Sequence, residues 1–234
     1  MSKKVRESFY SARAERFSNV YPCSASDKVR TLIVLKLIGN GKKVLDLGCY
    51  DGTVGSLLQR NGNEVYGVDI SEKPVQLAKQ KGIEAYVADI EDGIPFPENS
   101  FDVVFAGELI EHVFDTVKFL EEVRRMLKKD GYLVLTTPNL ASLGRRVLLL
   151  FGRNPNMEPS LEEGASGHIR YFVKDSLFNL LESHGFIIDH FTSDVINFNN
   201  SGKHFSTKIA RMSPSLGKTL IIRARKTAEA MQTI

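Results

Sequence analysis

Three acids recur at a regular interval, each closing a short apolar run. Lys43-Val-Leu-Asp46 leads into Leu-Gly48-Cys49-Tyr-Asp51-Gly52, Glu64-Val-Tyr-Gly-Val leads into Asp69-Ile70, and Ile83-Glu-Ala-Tyr-Val-Ala leads into Asp89-Ile90. The intervals from Asp46 to Asp69 and from Asp69 to Asp89 each fit one strand–helix–strand step. Runs of this kind read as buried parallel strands. An acid ending the second strand of a nucleotide-binding sheet accepts from ribose hydroxyls. Asp89 can accept from an adenine amino group while the Ile90 amide donates to the ring. Gly48 and Gly52 leave room for backbone to approach a ligand. Their spacing, Gly-x-x-x-Gly, differs from the Gly-x-Gly-x-x-Gly that seats a pyrophosphate on a helix N-terminus. Asp46 and Asp51 would repel phosphate, yet they suit a ligand bearing an ammonium and a sulfonium. A nicotinamide dinucleotide is therefore disfavoured.

A second constellation follows the fourth apolar run. In Gly107-Glu108-Leu-Ile-Glu111-His112 the two glutamates stand three apart and share a face of a helical turn. His168 comes much later, in Gly167-His-Ile-Arg-Tyr-Phe172. His112 with Glu111 beside it has three readings: a pocket residue or general base, a metal ligand, or a structural residue.

The elements that must position these groups alternate along the chain. Ser24 or Ser26 is placed to cap a helix running to about residue 38, with Gly39 or Gly41 ending it. The patterning then predicts strand 43–47, helix 53–61, strand 64–69, helix 73–81, strand 84–88, strand 102–106, helix 115–128 and strand 131–137. A helix over 174–183, a strand from Gly185 and a last strand ending near Arg225 complete the pattern. Such alternation implies an α/β fold with a doubly wound, mostly parallel sheet. Residues 1–22 read as an amphipathic leader, either packed on the domain edge or capping the site. Residues 140–170 read as an insertion covering the substrate, because specificity resides on loops over a rigid scaffold. Within it, Leu148-Leu-Leu-Phe151 beside Arg145 and Arg146 is expected to form a helix packed on its own domain, with contact to a membrane surface as the alternative. Residues after Lys226 are expected to fray.

The motifs together resemble class I S-adenosylmethionine-dependent methyltransferases over about residues 25 to 226. The resemblance rests on Val44-Leu-Asp-Leu-Gly-Cys-Tyr-Asp-Gly52, Gly67-Val-Asp-Ile-Ser71, Ala88-Asp-Ile90, Phe101-Asp-Val-Val-Phe-Ala-Gly-Glu108 and Leu127-Lys-Lys-Asp-Gly-Tyr-Leu-Val-Leu135. Tyr50 stands where that family has a small residue, and Asp130-Gly131 where it often has Pro-Gly-Gly. The resemblance implies a seven-stranded Rossmann-like sheet whose last strand is antiparallel. It also implies S-adenosylmethionine held by Asp46, Gly48, Cys49, Asp51, Gly52, Asp69, Ile70, Asp89, Ile90 and Gly107. Glu-x-x-Glu-His with a distant histidine is similar to the metal set of ubiquinone-pathway O-methyltransferases and of small-RNA 2′-O-methyltransferases. That likeness implies Glu108, Glu111, His112 and His168 as ligands of a divalent ion such as Mg.

The 234 residues suffice for one methyltransferase domain spanning the chain. A net charge of +3 does not by itself call for nucleic acid, and no clustered basic run or RNA module is present. Two cysteines, Cys23 and Cys49, give no disulfide framework. The start lacks a signal-peptide core, and no apolar run reaches the roughly 20 residues of a bilayer span. A cytoplasmic location is the resulting expectation. The expected reaction is methyl transfer to a small-molecule or lipid-linked acceptor at oxygen. The alternatives are a 2′-O-methyltransferase of RNA and a non-catalytic S-adenosylmethionine-binding protein.

Overall fold

The computed structural model describes residues 24–155, 167–198 and 204–227. The leader 1–22 and the tail after residue 227 lie outside the described residues, as does part of the expected insertion.

Helix α1 (Ala25–Ile38) begins where Ser24 accepts from the Asp27 amide and Asp27 returns a bond to the Ser24 amide, a reciprocal cap. Gly39 ends it at φ 76°. Then come β1 (Lys43–Leu47), α2 (Thr53–Arg60), β2 (Glu64–Asp69), α3 (Glu72–Gln80), β3 (Glu84–Val87), β4 (Phe101–Gly107), α4 (Thr116–Met126), β5 (Leu127–Pro138) and α5 (Leu143–Leu150). The remainder is α6 (Lys174–Ser183), β6 (Phe186–Thr192), a small ribbon of β7 (Ile196–Asn197) and β8 (Phe205–Ser206), α7 (Thr207–Met212) and β9 (Thr219–Lys226).

Seven strands form one sheet in the order β3-β2-β1-β4-β5-β9-β6. All neighbours up to β5 are parallel, and β9 runs antiparallel to both β5 and β6. The last strand is thus the reversed one, inserted between β5 and β6, and the chain reaches it through the β7–β8 ribbon and α7. Each face carries its own core. Val34 and Ile38 of α1, Leu58 of α2 and Val75 of α3 pack on Val44, Val65, Val103 and Val134 on one side. Phe119 and Val123 of α4 and Leu177 and Leu181 of α6 pack on Leu45, Val104, Leu133 and Ile222 on the other. The central strands are buried on both faces, which is why they read as unbroken apolar runs.

Three local outcomes differ from the sequence reading. β5 starts at Leu127, directly after α4, because Leu127 pairs with Phe101 before the register shifts at Val103. The helix α7 and its ribbon carried no strong periodicity and went unread. Helix α5 forms and touches β7 with Leu148 half-buried, but none of its residues is fully buried, so it packs on the domain less closely than expected.

Gly52 shows what the first turn demands. It enters α2 at φ 72°, and a Cβ there would lie 2.8 Å from the Ala78 backbone. Gly144 in α5 has nothing within 4 Å. Gly52→Ala is expected to cost at least about 1–3 kcal/mol from backbone strain, whereas Gly144→Ala should be neutral or stabilising by up to about 1 kcal/mol. Urea unfolding of the two variants checks this; equal effects would contradict the packing described.

Candidate active site

The carboxyl edge of β1, β2 and β4 encloses a cavity of about 480 Å³. Register explains why the acids meet there. Asp46 lies opposite Gly67 on β2 and Phe105 on β4, so the turns after the neighbouring strands open at one level. The walls include Asp46, Gly48, Cys49 and Asp51 from the first turn, Asp69 and Ile70 after β2, Asp89 and Ile90 after β3, and Gly107 after β4. Nine of the ten residues implied for the cofactor therefore face one space. Gly52 does not line it; its place against Ala78 spaces α2 from α3 instead.

The acids are not equivalent. Asp51 already holds Lys81 at 2.6 Å and caps the Thr53 amide, so its charge is largely committed to the fold. Asp69 accepts from the amides of Tyr50 and Ser71 at 3.0 and 2.9 Å. Tyr50 reaches that bond from a left-handed backbone, φ 48°, a conformation that favours a small residue. Asp46 is buried, and burial together with the neighbouring Asp69 pushes its carboxyl up to about 8. Burial also raises Asp69. Two buried carboxylates side by side fit a cationic ligand with hydroxyl donors, the features an adenosyl sulfonium amino acid combines. The Cys49 thiol is raised by burial and by Asp46, so it contributes packing, not a thiolate.

At the far wall the β4 turn carries the second constellation. Glu108 takes φ 53° and is fixed by Thr136 Oγ1 at 3.1 Å and by Arg30 Nη1 at 3.1 Å. Arg30 also holds Asp27 at 3.0 Å. A short 3-10 turn, Ile110–His112, then aims Glu111 inward and His112 into the cavity. The distant His168 is brought alongside by backbone bonding. The Glu111 carbonyl accepts from the Ile169 and Arg170 amides, and His112 Nδ1 lies 3.0 Å from the Gly167 carbonyl. That contact needs a proton on Nδ1, and in the neutral ring this leaves Nε2 with a lone pair. The rings of His112 and His168 are 4.9 Å apart.

Glu111, His112 and His168 place one ligating atom each within 4.8 Å of one another. Glu108 is not part of this cluster, being turned towards Arg30 and Thr136. Glu111 Oε2 accepts from Thr137 Oγ1 at 2.8 Å, while Oε1 is buried with no hydrogen-bond partner among the described residues. Burial, then the nearby Glu108, holds the Glu111 carboxyl well above the usual range. Sequence reasoning missed Arg30 as a cavity residue. The available signal was its place with Asp27, Thr31 and Val34 on one face of α1, the face that is buried.

The raised Asp46 makes stability depend on pH. Its folded-state value of about 8 exceeds the ordinary 3.8, so the stabilisation present in full below about 4 is lost as pH rises towards 8. Asp46→Asn lacks this penalty. Without ligand, Asp46→Asn should gain on the native protein as pH rises and exceed it by more than about 1 kcal/mol at pH 8. Parallel melting curves across that range would contradict the burial.

A family model described as a methyltransferase domain matches residues 45–135, the segment from β1 to β5. The mitochondrial ubiquinone biosynthesis O-methyltransferase of Homo sapiens is 29% identical over 154 residues, covering 62% of this chain and 41% of that protein. The ubiquinone biosynthesis O-methyltransferase of Haemophilus ducreyi is 35% identical over 109 residues, covering 42% of this chain and 46% of that protein. The chain thus spans less than half the length of these relatives. Among solved structures, a S-adenosylmethionine-dependent methyltransferase from Thermotoga maritima superposes with a TM-score of 0.70 at 20% identity, covering 94% of this chain and 99% of that one. One from Aquifex aeolicus gives a TM-score of 0.60 at 20% identity over 93% and 98%; at such identity these two speak for the fold. Residues 45–135 thus match a methyltransferase-domain model, and the whole sheet shares its fold with solved S-adenosylmethionine-dependent methyltransferases.

Proposed function

We propose that this chain transfers a methyl group from S-adenosylmethionine to an oxygen of a small-molecule or lipid-linked acceptor, with His112 taking the acceptor's proton. The observation that carries the reading is the joining of the Asp46, Asp69 and Asp89 turns and His112 in one cavity. When bound, the sulfonium supplies an electrophilic methyl group; the protein's part is orientation and exclusion of water. Asp46 would neutralise the ligand's ammonium, and Asp69 would accept from the ribose. Asp89 and the Ile90 amide would frame the adenine. The lone pair on His112 Nε2 suits it to remove a hydroxyl proton, because the bond to Gly167 fixes its tautomer. Oxygen as the accepting atom is supported by the relatives named O-methyltransferases.

A second reading makes the same corner a divalent metal centre. Its support is the orphan Oε1 of Glu111 beside His112 and His168. Without Glu108 the donor set is one carboxylate and two imidazoles, which favours a borderline ion such as Fe or Zn over Mg. The ion would hold the acceptor oxygen and lower its pKa, and His112 would then be a ligand instead of a base.

Titration calorimetry with S-adenosylhomocysteine should show binding that Asp69→Ala weakens by at least about tenfold. Unchanged affinity in that variant would remove the cofactor reading. Turnover over a panel of phenols, alcohols and amines, with and without chelator, separates the two catalytic readings. For a base, His112→Ala should lower turnover by about 10²–10⁴-fold with cofactor affinity intact and no effect of chelator. Loss of activity on chelation, restored by added metal, would favour the second reading.

A further inference from the structure

Helix α5 is the one element of the fold whose sequence and placement remain unexplained by methyl transfer. It leaves the ligand-binding edge of the sheet directly after β5, and Arg145 ties its base to the Asn139 carbonyl at 3.0 Å. Arg145 is half-buried and close enough to Glu108 and Tyr171 to feel their charge, so the helix starts beside the cavity. Beyond that anchor the helix touches β7, and its outer side is left open among the described residues. Leu149 is 54% exposed, Leu150 80% and Phe151 73%. Helix α7, which shares the β7 ribbon with α5 as its seat, leaves Ile209 and Met212 exposed, Met212 by 74%.

Exposed leucine, phenylalanine and methionine side chains grouped on neighbouring helices are a cost to a protein that stays in water. The charged residues within these two segments have one sign. Residues 143–153 contain Arg145, Arg146 and Arg153 and no acid, and residues 204–213 contain Lys208 and Arg211 and no acid. Apolar side chains reaching outward beside the exposed Arg146, Arg153, Lys208 and Arg211 match a helix lying in an anionic lipid interface, where the hydrocarbon side sinks in and the arginines meet phosphate. A second copy of the chain would set these cations against each other, and an RNA would leave the leucines in water.

We propose that α5, assisted by α7, docks this chain on an anionic membrane surface with the cavity mouth beside the lipid. The assignment does not depend on the acceptor's identity, since docking is read without turnover. It would, however, place the site where a lipid-linked acceptor resides. No helix among the described residues is long and apolar enough to cross the bilayer, so the contact is interfacial.

Co-sedimentation of the full chain with vesicles of phosphatidylcholine alone, and of phosphatidylcholine with phosphatidylglycerol, tests this at low and high salt. Binding is expected to the anionic vesicles, weakened by salt. Leu150→Glu with Phe151→Glu should reduce vesicle affinity by at least roughly tenfold. The substituted side chains are exposed, so the melting temperature should be unchanged. Arg146→Glu with Arg153→Glu should remove the preference for anionic lipid. Several results would overturn the proposal: no binding at low salt, equal binding by the Leu150/Phe151 variant, or indifference to lipid charge. So would a native mass in gel filtration that falls to half in the Leu150/Phe151 variant, since a second copy would then cover the face.

Discussion

Two neighbouring acids with no cation paired to them among the described residues set the terms for this molecule. Asp46 and Asp69 stand at the ends of adjacent parallel strands; burial makes both harder to ionise, and Asp69 adds to the effect at Asp46. A fold selected for stability alone would place a cation or an apolar residue there. The sheet tolerates the arrangement because the turns after β1 and β2 are otherwise well bonded: Gly48 and Cys49 amides donate to the Val68 carbonyl, and the Tyr50 amide to Asp69. In the proposed function, the ligand's ammonium would supply the missing charge.

The reacting corner is built on a different principle. Its groups come from a 3-10 turn and from a loop nearly sixty residues later, held together by the Glu111 carbonyl and by the Gly167 carbonyl against His112. Strain is concentrated in the same region, with Glu108 at φ 53° locked by Arg30 and Thr136. In the proposed function, cofactor recognition would thus rest on sheet register, whereas proton or metal chemistry would rest on loop bonds that can differ among proteins sharing the sheet. That separation lets one scaffold serve many acceptors.

The parts legible in the sequence are those governed by local pattern. β1, β2 and β4 were visible because strands buried on both faces cannot afford polar interruptions, and the acids were visible because each ends such a run. What local pattern does not encode went unread. The partner of Glu108 is Arg30, 78 positions earlier, and nothing near Glu108 announces it. The exclusion of Glu108 from the histidine cluster follows from a backbone turn at φ 53° that glutamate seldom adopts. The exposure of α5 was misjudged for a related reason: an apolar run states that burial is favourable, not what provides it. The reversed β9 was expected from the family likeness, while its route through α7 was not.

The central question is whether Asp46 gives up its proton when a ligand's ammonium docks beside it. Titrating S-adenosylhomocysteine into the protein at pH 7 in two buffers of different ionisation enthalpy measures that directly. With Asp46 held at about 8 before binding, about one proton should be released per ligand bound, and the release should vanish in Asp46→Asn. Binding with no proton released, or with release unchanged in that variant, would contradict it.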